Sequence, residues 1–529
     1  MDEEITNDNN HNSVKNKIMK KHIVLAALLA VSAGAGAQNI YQLESFSNAD
    51  LNGTARYVGM GGAMNALGAD LSVMSSNPAG IGLYRKSDVA VTLGAATQQD
   101  ATKFYGKSGS HMSFDNLGFV YALPMDGGST QFVNIGLNYR KHKDFNTLLN
   151  TGMTFEGTDG GASQTWQMSD LADYWGDDML TPLAKSGYET WLYEGDNVHN
   201  SKANEYHKAQ WGSIQDYDVS LGFNFNDRWY LGLAVGLYNV GLNSYSMYSE
   251  DLLGKNTAGV YEAGTYYLSN RNKLTGTGVD FKAGFIIRPI EDNPFRIGFS
   301  FSTPTYYSLR SRKVSSLISP LNEDGTTVGS SYGYDIDYEY NLYTPWKFNF
   351  SLGTTFFKQL AIGAEYEYSD YSCAKISYDN GYVGDWGDDE DDDEALKQEA
   401  DKRLKGVSTF KLGMEWYVDP QLAIRLGYNY VSTPMKKNAW YNQFINSASL
   451  DYATSTAYMN MSDIHRLTVG IGTNFGNFYA DFAYMYQIQN GDFFAFNTQN
   501  GYDNHPNDLP ATRIKLNRSK VMFTLGYRF

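Results

Sequence analysis

From about Asp88 onward, apolar residues alternate with polar or small ones in segments of roughly ten, separated by turn-rich or long polar stretches. The last segment shows this most clearly: Val521, Phe523, Leu525, Tyr527 and Phe529 alternate with Met522, Thr524, Gly526 and Arg528. In 231–238, Leu231, Leu233, Val235 and Leu237 alternate with Gly232, Ala234 and Gly236. A period of two places one set of side chains on each face of a strand. The pattern recurs over 88–96, 117–123, 133–139, 219–225, 279–287, 295–301, 346–352, 360–368, 410–416, 422–430, 467–471 and 480–486, fourteen segments in all. Six connections are short, near 124–130, 226–228, 289–294, 357–359, 418–420 and 476–477. Seven are long, near 98–113, 143–214, 242–276, 309–334, 379–406, 432–461 and 488–516. Short and long alternate strictly, which predicts an all-β chain: a 14-stranded antiparallel transmembrane β-barrel over 87–529 with short periplasmic turns and long extracellular loops. Closure removes the unpaired edge that lipid could not satisfy. A soluble β-sandwich, the competing reading, accounts neither for this alternation nor for the C-terminal aromatic.

Composition agrees with strands rather than membrane helices. There are 52 Gly and 41 Tyr, and charged residues are 19%, below the roughly 25% of soluble domains. Only Ile23–Ala33 forms a long apolar run, and it falls short of the roughly 20 residues that a spanning helix needs. It follows Lys20, Lys21 and His22 and precedes Gly34-Ala35-Gly36-Ala37, the order of a secretory signal cut after Ala37. Residues 1–37 thus read as a polar extension plus signal, with Met19 the expected start. The net charge of −16 disfavours nucleic acid as a partner. A single cysteine, Cys373, excludes an internal disulfide.

By alternation, Arg140, Asp218, Asp280, Lys282, Glu365, Glu367, Lys411, Glu415, Arg425 and Asp481 lie on the non-lipid face. A charge facing lipid at mid-membrane costs about 2–4 kcal/mol, which assigns these side chains to the lumen. Both signs are present, so mutual pairing or anchoring of a plug is favoured over a dedicated substrate site.

Residues 38–86 do not alternate. They carry Gly59, Gly61, Gly62, Ala63, Ala66, Gly68 and Ala69, then the turn Asn77-Pro78-Ala79. Small residues let backbone pack on backbone, as a segment threaded into a narrow lumen requires, and Pro78 biases Asn77 away from helix. The Gly run lacks the Gly-Lys-Ser/Thr of a phosphate loop.

These residues, with the terminal Phe529, resemble the FadL family of outer-membrane long-chain fatty acid transporters. The resemblance implies a Gram-negative outer-membrane protein with a fourteen-stranded barrel whose N-terminal hatch plugs the lumen. It also implies passive uptake of a hydrophobic small molecule, caught on an outer loop groove and released sideways through the wall into outer-membrane lipid. Phe529 resembles the signal read by the barrel assembly machinery. Some relatives act as secretion-associated shuttles and others are called hemin receptors, so a hemin receptor or shuttle of the same fold is the alternative.

Two loops invite closer reading. Segment 143–216 holds Trp166, Leu171, Trp175, Met179 and Trp191. Leu171, Trp175 and Met179 fall four apart, one face of a helix beginning after Ser169-Asp170. Such a face could capture an acyl chain, or form a mini-core folded over the barrel mouth. Asp388–Glu394 is a run of seven acids without the spacing of a calcium loop, read as a solvated loop tip.

No enzyme is expected. Gly329-Ser330-Ser331-Tyr332-Gly333 matches Gly-x-Ser-x-Gly but sits in a predicted loop rather than a strand–turn–helix. His111, His142, His199, His207, His465 and His505 show no paired metal spacing. The expectation is no catalytic residue, no metal and no cofactor.

Overall fold

The computed structural model describes residues 39–529 apart from 127, 156–162, 177–179, 196, 257–258, 323–328, 385–386, 438 and 498–508. The signal segment and Met19 lie outside the described residues. Fourteen antiparallel strands follow one another: β1 (Asp88–Gln98), β2 (Ser110–Pro124), β3 (Thr130–Asp144), β4 (Asn200–Phe225), β5 (Trp229–Asn256), β6 (Gly259–Ile287) and β7 (Arg296–Ser302 with Tyr306–Ser319). Then come β8 (Ser330–Tyr343 with Lys347–Phe356), β9 (Leu360–Asp370 with Lys375–Gly384), β10 (Gly406–Asp419), β11 (Leu422–Val431), β12 (Tyr458–Phe475), β13 (Phe478–Phe494) and β14 (Arg518–Arg528). The sheet closes where β1 pairs with β14, from Asp88↔Arg528 to Gln98↔Arg518. Closure leaves the wall no edge for lipid to meet.

The alternation is borne out on the wall. Leu231, Leu233, Val235 and Leu237 stay exposed to the lipid side, while Tyr230, Ala234 and Tyr238 are buried inside. Aromatic rings ring both ends of this apolar band: Trp229, Phe356, Trp416, Phe475 and Phe478 near the short turns, and Tyr217, Trp346, Tyr368, Phe410 and Tyr428 at the other end. Such belts mark the two lipid–water interfaces.

One group of expected loops is corrected. Segment 242–276 is almost wholly strand, because β5 and β6 stay paired from Trp229↔Ile287 to Asn256↔Gly259. The upper parts of β4, β7, β8 and β9 join them, so a curved sheet rises well beyond the lipid band. Its inner face packs on loop and cap residues, so apolar alternation persists above the membrane. Tyr248, Leu252, Tyr266 and Leu268 are buried there.

Three of these strands break at nearly one level, over 303–305 in β7, 344–346 in β8 and 371–374 in β9. Since Ser302 pairs with Lys347 and Tyr306 with Tyr343, Pro304 stands across from Pro345. Neither proline can donate a ladder hydrogen bond. Threonine hydroxyls fill in: Thr305 N–H donates to Thr344 Oγ1 at 2.9 Å, and Phe281 N–H to Thr303 Oγ1 at 3.0 Å.

The acidic run is likewise corrected. Gly387–Asp392 is a strand paired with 377–384. Glu390 accepts hydrogen bonds from Tyr343 and Asn341, and Asp393 caps helix Glu394–Arg403. It is a paired edge strand rather than a free loop tip, with Glu390 and Asp391 exposed.

Candidate functional site: the plugged lumen

The chain enters the lumen through helix α1 (Ile40–Ser47), whose N-cap Asn39 accepts from Tyr41 and Gln42 N–H. Ile40, Leu43 and Phe46 pack into the upper wall, with Phe46 edge-on to Tyr307 at 5.2 Å. Below it, 51–84 fills the barrel with a short helix α2 (Ala55–Gly59) and two 3-10 turns, Leu71–Ser75 and Pro78–Leu83. Their apolar side chains, among them Leu51, Val58, Met64, Leu71 and Met74, form one buried cluster with the wall.

Backbone meets backbone at several inward-facing glycines of the wall. A Cβ added at Gly232 would lie 2.1 Å from Ala79 N, at Gly363 2.0 Å from Ala63 O, at Gly413 2.2 Å from Met60 O, and at Gly427 2.1 Å from Gly61 N. Sequence reading treated these wall glycines only as small. Their recurrence on the inward face of β5, β9, β10 and β11 was the available signal that a backbone lies against the wall.

The expected hatch residues all take part. Asn77 is fully buried, and its Oδ1 accepts the Ala79 N–H at 3.2 Å to start the Pro78–Leu83 turn. Gly61, at φ 63°, faces the Tyr428 backbone, Gly62 has φ 80°, and Gly59 lies against Gly470. The Gly59 carbonyl accepts from Thr468 Oγ1 at 3.1 Å.

The lumen charges meet as pairs. Arg56 of the hatch holds Glu415 through two bonds of 2.9 and 2.7 Å, and Arg425 bridges Glu415 to Asp481 at 2.8 and 2.6 Å. Lys282 lies 2.6 Å from Asp218 and 3.2 Å from Asp280, Arg140 3.0 Å from Asp216, and Lys411 within 3.4 Å of Glu365 and Glu367. Glu365 also accepts the Asn65 N–H at 2.6 Å. These charges therefore join strand to strand and hatch to wall.

Between α1 and the lower hatch lies a polar cavity of about 100 Å³, bordered by Asn48, Arg140, Asp280, Lys347, Glu367 and Arg466. Lys347 forms no salt bridge among the described residues, and buried Arg466 is held by the neutral Gln487 and Asn429. A small cavity beside Glu44 shares Asn48, Tyr371, Val407 and Val431 with it. That cavity in turn shares Met461 and Ser462 with an open groove of about 450 Å³ on the outer surface. Met435, Trp440, Tyr458 and Phe494 line the groove, together with Lys436 and Lys437. Sequence reading missed this groove, because its walls come from two separate loops.

The expected capture helix lies elsewhere. It runs Gln164–Trp175 (α3) and is capped by Ser163, not by Ser169-Asp170. Leu171 is buried with Trp440, Tyr441 and Phe444, and Trp175 Nε1 donates to Gln443 O at 3.1 Å. Thus α3 packs into a mini-core with residues 440–444. Buried Glu250 anchors its start, accepting from Gln164 N at 2.8 Å and from Ser163 and Ser201 hydroxyls. Trp166 points outward to Asn200, Trp191 is half-buried, and Met179 lies outside the described residues.

The histidines are dispersed. His111 pairs with Asp144 at 2.8 Å, His142 lies beside Arg140, His207 stacks on Phe104, and His465 bonds Tyr428. His505 lies outside the described residues. Ser331 of the Gly-x-Ser-x-Gly match sits in strand β8.

A family model described as outer membrane protein transport protein (OMPP1/FadL/TodX) matches residues 197–441. Among solved structures, a Pseudomonas aeruginosa FadL homologue is similar at 14% identity and a TM-score of 0.51, covering 91% of this chain and 99% of its own. The P. putida toluene transporter TodX aligns at 13% identity and 0.47, and the Ralstonia pickettii toluene transporter TbuX at 13% and 0.45, each over 91% of this chain and 99% of its own. No curated protein sequence matches the chain. The chain folds as a fourteen-stranded barrel with a plugged lumen, its central strands match the OMPP1/FadL/TodX family model, and its fold is similar to that of a FadL homologue.

Proposed function

We propose that this hydrophobic-compound channel passively takes up long-chain fatty acids or similar single-chain amphiphiles, with the hatch as its gate. One observation carries the reading: the outer groove, the small cavity and the luminal cavity share lining residues in series, ending beside the hatch. An apolar floor of Trp440, Tyr458 and Phe494 suits an acyl chain, and Lys436 and Lys437 suit its carboxylate. For the sideways exit we favour the β7–β8 break. Phe301 borders both the luminal cavity and an almost wholly apolar groove of about 320 Å³ on the lipid side. An apolar solute gains nothing by crossing water when lipid is adjacent.

The test is oleate titration of purified protein, followed by uptake in cells. Saturable oleate binding that weakens about tenfold in Trp440→Ala supports the groove. Uptake that changes in Asn77→Ala, with the barrel still assembled, supports the gate. Absence of oleate binding overturns the substrate class, and unchanged uptake in Asn77→Ala overturns the gating role.

A further inference from the structure

The first long loop does not enter the lumen. It lies against the outer face of the projecting sheet, where Phe104 stacks on His207 and Tyr245, and Tyr105 stacks on Tyr245 at 4.1 Å and on Trp211 at 6.0 Å. The loop turns through Tyr105 (φ 48°) and Gly106 (φ 68°), closed by the Phe104–Lys107 backbone pair. A tyrosine at positive φ is strained by about 1–2 kcal/mol, and the stack offsets that. Tyr105 nevertheless stays 41% exposed.

Cations gather on these rings. The Lys107 ammonium lies 4.4 Å over Trp211, and the Arg271 guanidinium lies 5.6 Å over Tyr105 and donates to its hydroxyl. Cross-strand register puts Trp211, Asn243, Lys273 and Arg312 in one outward row, with Tyr245 and Arg271 in the next. Arg312 is neutralised by Asp335 at 2.7 Å. Lys107, Arg271 and Lys273 form no salt bridge among the described residues, and the nearby Glu205 sits 3.5 Å from His207. A clamp for the loop would need only the rings. Unneutralised cations on them, in a chain of net charge −16, call for an external anion.

Height names its source. Trp211 is six residues above Tyr217, the top of the lipid-facing row on β4, or about 20 Å along the strand and roughly 15 Å along the membrane normal. This is the layer of phosphorylated sugars above the acyl chains of the outer leaflet. We propose that the Tyr105 turn and the cations around it form a docking surface for a phosphorylated glycolipid of the outer leaflet. Lys107, Arg271 and Lys273 take phosphate, and the exposed ring of Tyr105 takes an adjacent sugar face. This surface is separate from the channel and stands whether or not the channel carries fatty acids.

The test reconstitutes the full barrel in nanodiscs with lipopolysaccharide, or with the same glycolipid stripped of its phosphates. Glycolipid retained per barrel is then read by mass spectrometry. Wild type should retain the phosphorylated form about tenfold better than K107Q/R271Q/K273Q, with dephosphorylated glycolipid at the variant's level. The single change Lys107→Gln, on an exposed turn that no barrel pairing uses, should lower retention by about fivefold. Equal retention by wild type and both variants, or indifference to phosphate removal, overturns the proposal.

Discussion

At position 232 a single methyl group decides whether the hatch can seat. A Cβ there would meet Ala79 N and the Pro78 carbonyl carbon at 2.1 Å, backbone atoms that cannot rotate away. Gly232→Ala is therefore expected to assemble as a barrel, with heat-modifiable mobility intact, while protease cuts the 51–84 segment faster than in wild type. The second decisive residue is Glu415, which is held between Arg56 and Arg425. Glu415→Gln leaves the half-buried Arg56 guanidinium without its carboxylate, while Arg425 keeps only Asp481. Breaking a buried pair costs about 3 kcal/mol, so the variant should release the hatch at lower denaturant, as read by protease sensitivity of that segment. The lumen position of these charges was legible from alternation alone. Their partners were not, since Arg56 and Glu415 are 359 residues apart and only the folded hatch brings them together.

Among the elements, α3 is the one whose role depends on tertiary contact. Its apolar positions were visible in the sequence, but an amphipathic helix shows the same pattern whether its face is open to ligand or closed over a mouth. Contact with Trp440 and Phe444 shows that this face is packed. Asp170, on this helix, is pushed up to about 6 by burial and by the neighbouring Asp173. An acid whose folded pKa is raised binds its proton more tightly when folded. The cap therefore gains stability as pH falls through about 6, down to the unfolded value near 3.8. Protection factors for amide exchange of 164–175, which remove the intrinsic pH dependence of exchange, should be larger at pH 5 than at pH 7.5, and Asp170→Asn should flatten the difference. The long hairpin of β5 and β6 carries a related lesson. Alternation continues past the membrane because the projecting sheet also buries one face, so periodicity marks burial rather than lipid.

In the whole molecule, hatch, α1 and α3 fill the barrel and its outer end, while the β7–β8 break borders the luminal cavity through Thr303 and Thr305. In planar bilayers the intact protein should show no steady porin-like conductance, whereas a variant lacking 39–86 should conduct persistently. Steady conductance of the intact protein would defeat the plug as a seal. A disulfide across the break is the complementary experiment, with Thr305→Cys and Thr344→Cys in a Cys373→Ser background. Oxidation should stop oleate uptake while leaving oleate binding in place, and reduction should restore it. Unchanged uptake in the oxidised protein would move the exit elsewhere. Strand number, closure and membrane placement were readable along the chain, because two-residue periodicity and the alternation of short with long connections are local properties under strong solvent constraint. The seat of the hatch, the linked cavities, the facing prolines and the cationic outer patch were not. Each depends on residues distant in the chain that strand register, or packing of hatch and loops on the wall, brings together, and local periodicity does not fix which of them meet.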